Sequence, residues 1–239
     1  MSTILPLLFF SSSAPPPPPP PPPSDPFWND VVLLMPLNSS AGYSCLKGRT
    51  TSTGTTLNIQ TVGGFECSNT WGFVSDNSLF DLGTSDFTIE CYARFSALST
   101  RSVVFQMNDG PSGSDPYFRF FMFTNDRFFL DFSQSGNGYG FVGTDPAFTF
   151  SINTWYHIAA TRQGSNWSIW VDGIQRGTTT DSRSINSVGL IRILHGDVPD
   201  SPASDPVFPF DGYIHSIRLT RSCRYTASFT PPSIPLPSS

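Results

Sequence analysis

The sequence predicts an all-β fold of packed antiparallel sheets, and three observations carry that expectation. Charged residues are only 13% of the 239, while Phe (22), Pro (23) and Gly (19) are plentiful, so the chain reads as strand formers punctuated by turn formers. Trp155 to Arg162 and Trp167 to Val171, rich in aromatic and β-branched residues, flank the polar segment Gln163 to Asn166, which is the sequence form of an antiparallel hairpin. Phe87 to Phe95 alternates: Phe87, Ile89, Cys91, Ala93 and Phe95 form one apolar row, with Thr88, Glu90, Tyr92 and Arg94 on the other face. A hairpin this aromatic needs a second sheet over its apolar side, so the fold is a sandwich or a barrel. With 38% hydrophobic content, a chain of 239 residues can bury one substantial core.

At the amino terminus, Met1 to Ala14 has an apolar centre at Ile4, Leu5, Leu7, Leu8, Phe9 and Phe10. No positive side chain precedes it and Pro15 obstructs cleavage after Ala14, so it is read as an attached apolar plug rather than a secretory signal. Pro15 to Pro23 is unbroken proline and forms polyproline II, about 28 Å long at roughly 3.1 Å per residue. Such a tract is a stiff spacer or a ligand for an aromatic groove. Residues 1–24 are therefore expected to be an anchoring arm, and 25–239 the globular domain. No run reaches the roughly 20 apolar residues that span a bilayer, so a soluble protein with no membrane partner is expected. A net charge of −5 with no Lys or Arg cluster lacks the electrostatic footprint that nucleic acid requires.

Within the domain, Val31 to Met35 is a continuous apolar run suited to a strand buried on both faces. Residues 38–70 are rich in Ser, Thr and Gly and give weak strands at best. Ser102 to Met107 is a further strand. Tyr117 to Phe123 and Phe128 to Phe132 flank Thr124 to Arg127, where Asn125-Asp126 suits a two-residue turn. Phe residues fall on both faces of this hairpin, so it is either covered on both sides or presents its outer face to a partner or ligand. In the hairpin after it, Thr161 is expected to face Trp167, Ala159 Ile169 and His157 Val171, with Ile158 opposite Trp170 on the other face. Asp172-Gly173 supplies the next tight turn. Gly189 to Leu194 and Gly212 to Thr220 are the last strands, and Phe229 to Pro237 is an extended tail.

The Trp155-x-His-Ile-Ala run, followed by a turn and then Ile169-Trp-Val-Asp-Gly173, resembles the laminin-G-like, concanavalin A-like jelly rolls, a superfamily of lectins, pentraxins and glucanases. Phe73 to Phe95 and Phe210 to Pro232, with Arg224-Tyr-Thr226 and Phe229-Thr-Pro-Pro232, are similar to such domains in bacteriophage tail and virion proteins. Asp25 to Leu34 is similar to how those domains start. The resemblance covers residues 25–237 and departs at 38–70, where the chain is shortened. It implies a two-sheet antiparallel jelly-roll sandwich. It also implies a virion structural protein, a surface decoration or tail-fibre component assembled in the host cytoplasm, oligomeric or multicopy, and held to other virion proteins by its arm. The alternative is an adhesin that binds host glycans. A secreted lectin is disfavoured by the weak signal segment and the phage-like carboxyl end.

Glucanases of the superfamily use two carboxylates, held about 5.5 Å apart in retaining enzymes. Glu66 and Glu90 are the chain's glutamates and do not share a strand, so no hydrolase is expected. His157 reads as a hydrogen-bonded core residue, and His195 and His215 have no Ser or Cys motif beside them. Trp28, Trp71, Tyr117 and Tyr139 are candidate platforms for a sugar, although core packing explains aromatics equally well. The resemblance implies calcium in loops at one sandwich edge, where Asp197, Asp200 and Asp205 offer hard oxygen ligands, against the alternative of solvated loop acids. No cofactor is required. Cys45, Cys67, Cys91 and Cys223 lack Cys-x-x-Cys spacing, so zinc is not expected. Cys91 reads as core. A Cys45 to Cys67 bridge is conceivable, but assembly in the cytoplasm keeps thiols reduced.

Overall fold

The computed structural model describes residues 25–35, 51–53, 59–60, 64–66, 72–74, 80–108, 117–133, 139–185, 191–194, 210–234 and 236. Among them, two antiparallel sheets form the jelly-roll sandwich that the sequence predicts. The first sheet holds β1 (Val31–Met35), β3 (Ile59–Gln60), β4 (Gly64–Glu66), β6 (Phe87–Phe95), β11 (Trp155–Gln163), β12 (Asn166–Val171), β13 (Ile174–Thr180) and β15 (Gly212–Thr220). Its order is β13-β12-β11-β6-β15-β4-β3, and β1 shares the outer edge of β15. The second sheet holds β2 (Thr51–Thr53), β5 (Gly72–Val74), β7 (Ser102–Asn108), β8 (Tyr117–Met122), β9 (Phe128–Ser133), β10 (Tyr139–Gly143) and β14 (Ile191–Ile193), in the order β10-β9-β8-β7-β14-β5-β2.

Alternation along each strand builds the core between the sheets. Phe87, Ile89, Cys91, Ala93 and Phe95 of β6 are fully buried against Phe118 and Phe120 of β8 and Phe128, Leu130 and Phe132 of β9. Trp167 of β12 joins the layers. It stacks on Phe132 at 4.0 Å, meets Phe87 edge-on at 5.4 Å, and donates from its indole N–H to the Asp181 carbonyl at 2.8 Å. Val31 to Met35 is buried on both faces as expected, because the carboxyl tail covers its outer side through Leu236.

Two turns differ from the sequence reading. In the β11–β12 hairpin Gln163 pairs with Asn166, so the loop is Gly164-Ser165 alone, and Arg162 faces Trp167 while Ala159 faces Trp170. Gly164 takes φ +59°, and a two-residue loop led by Gly matches the strands' twist. The expected register is thus wrong by one residue, which moves His157, Ala159 and Thr161 to the face opposite Trp167. The β8–β9 loop has three residues, Thr124 to Asp126, not two. Phe123 N–H bonds the Arg127 carbonyl at 2.9 Å, and Asp126 supplies the left-handed residue at φ 60°. Asp172-Gly173 is a tight turn as expected, with both residues at positive φ. Strands β10 and β13 are additions that the sequence did not suggest.

Candidate functional site: an aromatic cleft on the open sheet

The outer faces of the two sheets differ, and that difference locates the site. On the first sheet the tail beyond β15 crosses β6 and β11 as a strap. Tyr225 stacks on Phe229 at 3.5 Å, Phe229 meets Trp170 at 5.7 Å, and the Tyr92 hydroxyl donates to the Pro232 carbonyl. Beneath the strap Glu90 is fully buried. Its carboxylate accepts from Arg218 Nε at 2.8 Å and Tyr225 Oη at 2.7 Å, with His157 Nε2 at 2.9 Å. Asp25 completes the network, accepting from Arg218 at 2.9 Å and from Arg224 at 3.0 and 3.1 Å. Two guanidiniums therefore offset two carboxylates. Burial alone raises a carboxyl pKa, but the His157 hydrogen bond and the Arg218 and Arg224 charges outweigh it and hold Glu90 well below the carboxylate range. Among the described residues this network is a buried structural lock. Asp86, four residues before Glu90, lies outside β6 and accepts from Gly164 N–H at 2.7 Å.

The outer face of the second sheet carries no such strap among the described residues. Here Arg119, Phe121, Phe123, Asn125, Phe129, Asp131 and Phe141 line a cleft of about 350 Å³. Alternation explains it. On β8 and β9 the even-numbered Phe118, Phe120, Phe128 and Phe132 fill the core, which turns Arg119, Phe121, Phe129 and Asp131 outward. Phe141, 51% exposed, rises from β10 and meets Phe129 edge-on at 5.8 Å. Arg119 binds Asp131 through two hydrogen bonds, Nη2 to Oδ2 at 2.7 Å and Nε to Oδ1 at 3.2 Å, and lies over Phe121 at 4.4 Å. Burial pushes the Asp131 carboxyl up despite the pull of Arg119. Arg127 lies over Phe129 at 4.9 Å, and Arg101 over Phe123 at the same distance. Apolar ring faces beside fixed donors and acceptors can hold an amphipathic ligand such as a sugar, whose C–H face stacks while its hydroxyls bond.

A larger cleft of about 540 Å³ lies among Asp145, Phe148, Thr149, Gln175, Arg176 and Thr178. Among the described residues it offers a single ring, Phe148, which lies under Arg176 at 4.5 Å, whereas the aromatic cleft gathers four rings and exposes one of them, Phe141. The aromatic cleft is the better candidate on that ground.

Of the residues singled out from sequence, Tyr117 opens β8 and Tyr139 opens β10, the strands that carry the cleft. Trp28 sits in the short 3-10 turn Trp28–Asp30 and packs against Val31, Leu34, Tyr92 and Leu236 on the other sheet, away from the cleft. Trp71, Asp197, Asp200, Asp205 and the arm residues Ile4, Leu5, Leu7, Leu8, Phe9, Phe10, Pro15 and Pro23 lie outside the described residues. Among the described residues no group of three or more His, Cys, Asp or Glu could hold a metal ion. Cys91 is buried and Cys223 half-buried, and both are free thiols. The sequence reading flagged the outer face of the β8–β9 hairpin but missed Phe141, because the glycines around it hide β10.

A two-sheet antiparallel sandwich with these paths is the concanavalin A-like jelly roll. The chain belongs to the Laminin_G_3 family of the concanavalin A-like lectin/glucanases superfamily, whose model matches residues 68–227. No curated protein matches the chain. Among solved structures it is similar to the botulinum neurotoxin serotype D binding domain, with a TM-score of 0.62 and 12% identity over 83% of this chain and 50% of that one. It is also similar to the serotype C1 binding domain, with a TM-score of 0.61 and 15% identity over 82% and 50%. A third is the binding domain of botulinum neurotoxin DC in complex with SialylT, with a TM-score of 0.59 and 12% identity over 82% and 49%. At such identities the likeness is one of fold, and the chain spans about half the length of these structures.

Proposed function

We propose that the domain is a carbohydrate-binding module, a host-glycan adhesin that seats its ligand in the aromatic cleft and does not hydrolyse it. The observation that carries this reading is the row Phe123, Phe129 and Phe141, with buried Phe121 at its base, beside the Arg119–Asp131 pair on a sheet face that is otherwise unclaimed among the described residues. The similar solved structures support it. One is a complex with SialylT, and another concerns botulinum neurotoxin type C, whose cell entry is dependent upon interaction with two ganglioside molecules. Burial of Glu90 under the strap supports binding without hydrolysis. The test is a glycan array with the full chain and with Phe141→Ala. Selective binding to a glycan class that Phe141→Ala weakens about tenfold supports the reading. No binding to any glycan, or binding indifferent to Phe141 and Phe129, overturns it.

The setting we propose is a bacteriophage virion, with residues 1–24 as the anchoring arm. The apolar run Ile4 to Phe10 followed by a proline tract favours this, since burying apolar side chains in a partner gains about 25 cal/mol per Å² and a stiff spacer loses little further entropy. Deleting residues 1–24 should leave a folded domain that no longer joins particles. Incorporation of the truncated chain at wild-type levels would move the anchor to the jelly roll.

A further inference from the structure

Phe141 separates two clefts rather than closing one. On its far side a second hollow of about 330 Å³ is lined by Arg127, Phe141, Thr178, Thr179, Asp181 and Arg183, with backbone of β10 as its floor. The glycines flanking Phe141 make this geometry. A Cβ on Gly140 would come within 2.6 Å of Arg183 Nη2 and 2.7 Å of Asp181 Oδ2, and one on Gly143 within 2.4 Å of the Phe129 ring. The missing side chain at Gly143 lets the Phe129 ring lie against the strand on the side of Phe141, while Gly140, which faces the other way with Phe132, leaves room for the Asp181–Arg183 pair at the edge of β10. The two hollows adjoin at Phe141, which lines both, and together they run from β8 and β9 over β10 to the edge strand β13 as a two-part groove.

Among the described residues the charges along this groove do not balance. Asp131 is held by Arg119 and Asp181 by Arg183, so each carboxylate there already has its guanidinium. Arg127 stands at the junction, lining the second hollow while stacked over Phe129 of the first. Its Nε donates to the Thr144 carbonyl at 2.5 Å, and among the described residues it faces no carboxylate. A neutral sugar would use the rings and leave this cation unmatched. We propose that the groove takes an acidic oligosaccharide laid across Phe141, with the carboxylate of one sugar on Arg127. This rests on the carbohydrate reading and adds the ligand's charge and length to it.

The test measures calorimetric affinity of the full chain for 3′-sialyllactose and for trigalacturonate, each against its methyl ester, which removes the charge and keeps the rings. The expected result is that one acid binds at least about tenfold tighter than its ester, as a charge-assisted contact warrants. Which acid does so distinguishes sialic from uronic sugars. Arg127→Gln should bring that ratio to near one while sparing the ester, and Arg127→Lys should restore part of it, which separates charge from loss of the Thr144 contact. The galacturonate monomer should bind at least about tenfold more weakly than the trimer. Equal affinity for acid and ester, still lost in Phe141→Ala, would overturn the acidic ligand and leave the carbohydrate reading standing. A preference that survives Arg127→Gln would overturn the role of Arg127, and a monomer as tight as the trimer would overturn the two-part groove. Failure of both acids to bind would overturn the acidic assignment, while the glycan array judges the carbohydrate reading separately.

Discussion

Changing Glu90 to Gln tests how the strap is held, because one neutral substitution removes the carboxylate that Arg218, Tyr225 and His157 share. The amide keeps one acceptor oxygen but turns an NH2 toward groups that donate. Arg218 and Arg224 are then left with Asp25 as the remaining carboxylate of the network. Removing one partner of a fully buried ion pair costs about 3–5 kcal/mol, since the orphaned charge keeps its desolvation penalty. For a domain of this size that lowers Tm by about 6–20 °C. Differential scanning calorimetry of the wild type, Glu90→Gln, Glu90→Leu, Arg218→Met and the Glu90→Leu/Arg218→Met double variant reads it directly. The double variant should cost less than the sum of its parts by more than about 1 kcal/mol, because it removes both charges and leaves the Asp25–Arg224 pair intact. A Glu90→Gln loss below about 1 kcal/mol, the worth of an exposed pair, would refute the closed lock.

Two further outcomes follow from the strap. Glu90 is depressed from its ordinary value of 4.5, so its contribution is complete above that pH and is lost as pH falls below it; Tyr92, raised by burial and then by Asp172 and Glu90 from 10.0 to about 12, favours the neutral phenol, so its contribution is lost as pH rises from 10 to 12. Urea midpoints against pH should therefore fall at both ends, and a midpoint flat from pH 5 down to 3 would contradict the Glu90 assignment. Gly173→Ala should destabilise far more than Gly164→Ala. Both residues have positive φ, costing Ala about 1–2 kcal/mol, but a Cβ on Gly173 would fall 1.7 Å from the Phe229 carbonyl oxygen, whereas at Gly164 nothing lies within 4 Å. Equal Tm losses would mean that the strap does not press on that turn.

Much of the fold was legible because period-two alternation and turn residues carry it. Phe87 to Phe95 shows the inner row of β6, and Asp172-Gly173 marks the turn between β12 and β13. The β11–β12 register failed because Gln163 and Asn166 look like loop residues, yet they pair, and only the geometry around Gly164 fixes a two-residue loop. Strand β13, Ile174-Gln-Arg-Gly-Thr-Thr-Thr180, is half-exposed and has no apolar row to betray it. The site was half legible. Phe on both faces of Tyr117 to Phe132 pointed to a surface, but Phe141 sits in Tyr-Gly-Phe-Val-Gly, where glycine argues against a strand. The pairing of Glu90 with Arg218, 128 residues away, leaves no local trace in the sequence.

The most direct test of the carbohydrate cleft is to map a bound glycan by amide chemical-shift perturbation on the full chain, using the tightest ligand from the array. A sugar stacked on Phe129 and Phe141 should shift amides of residues 119–131 and 139–143, and the same titration on Phe141→Ala should lose those shifts. Perturbations confined to residues 145–149 and 175–178 would place the ligand in the larger polar cleft and contradict the assignment.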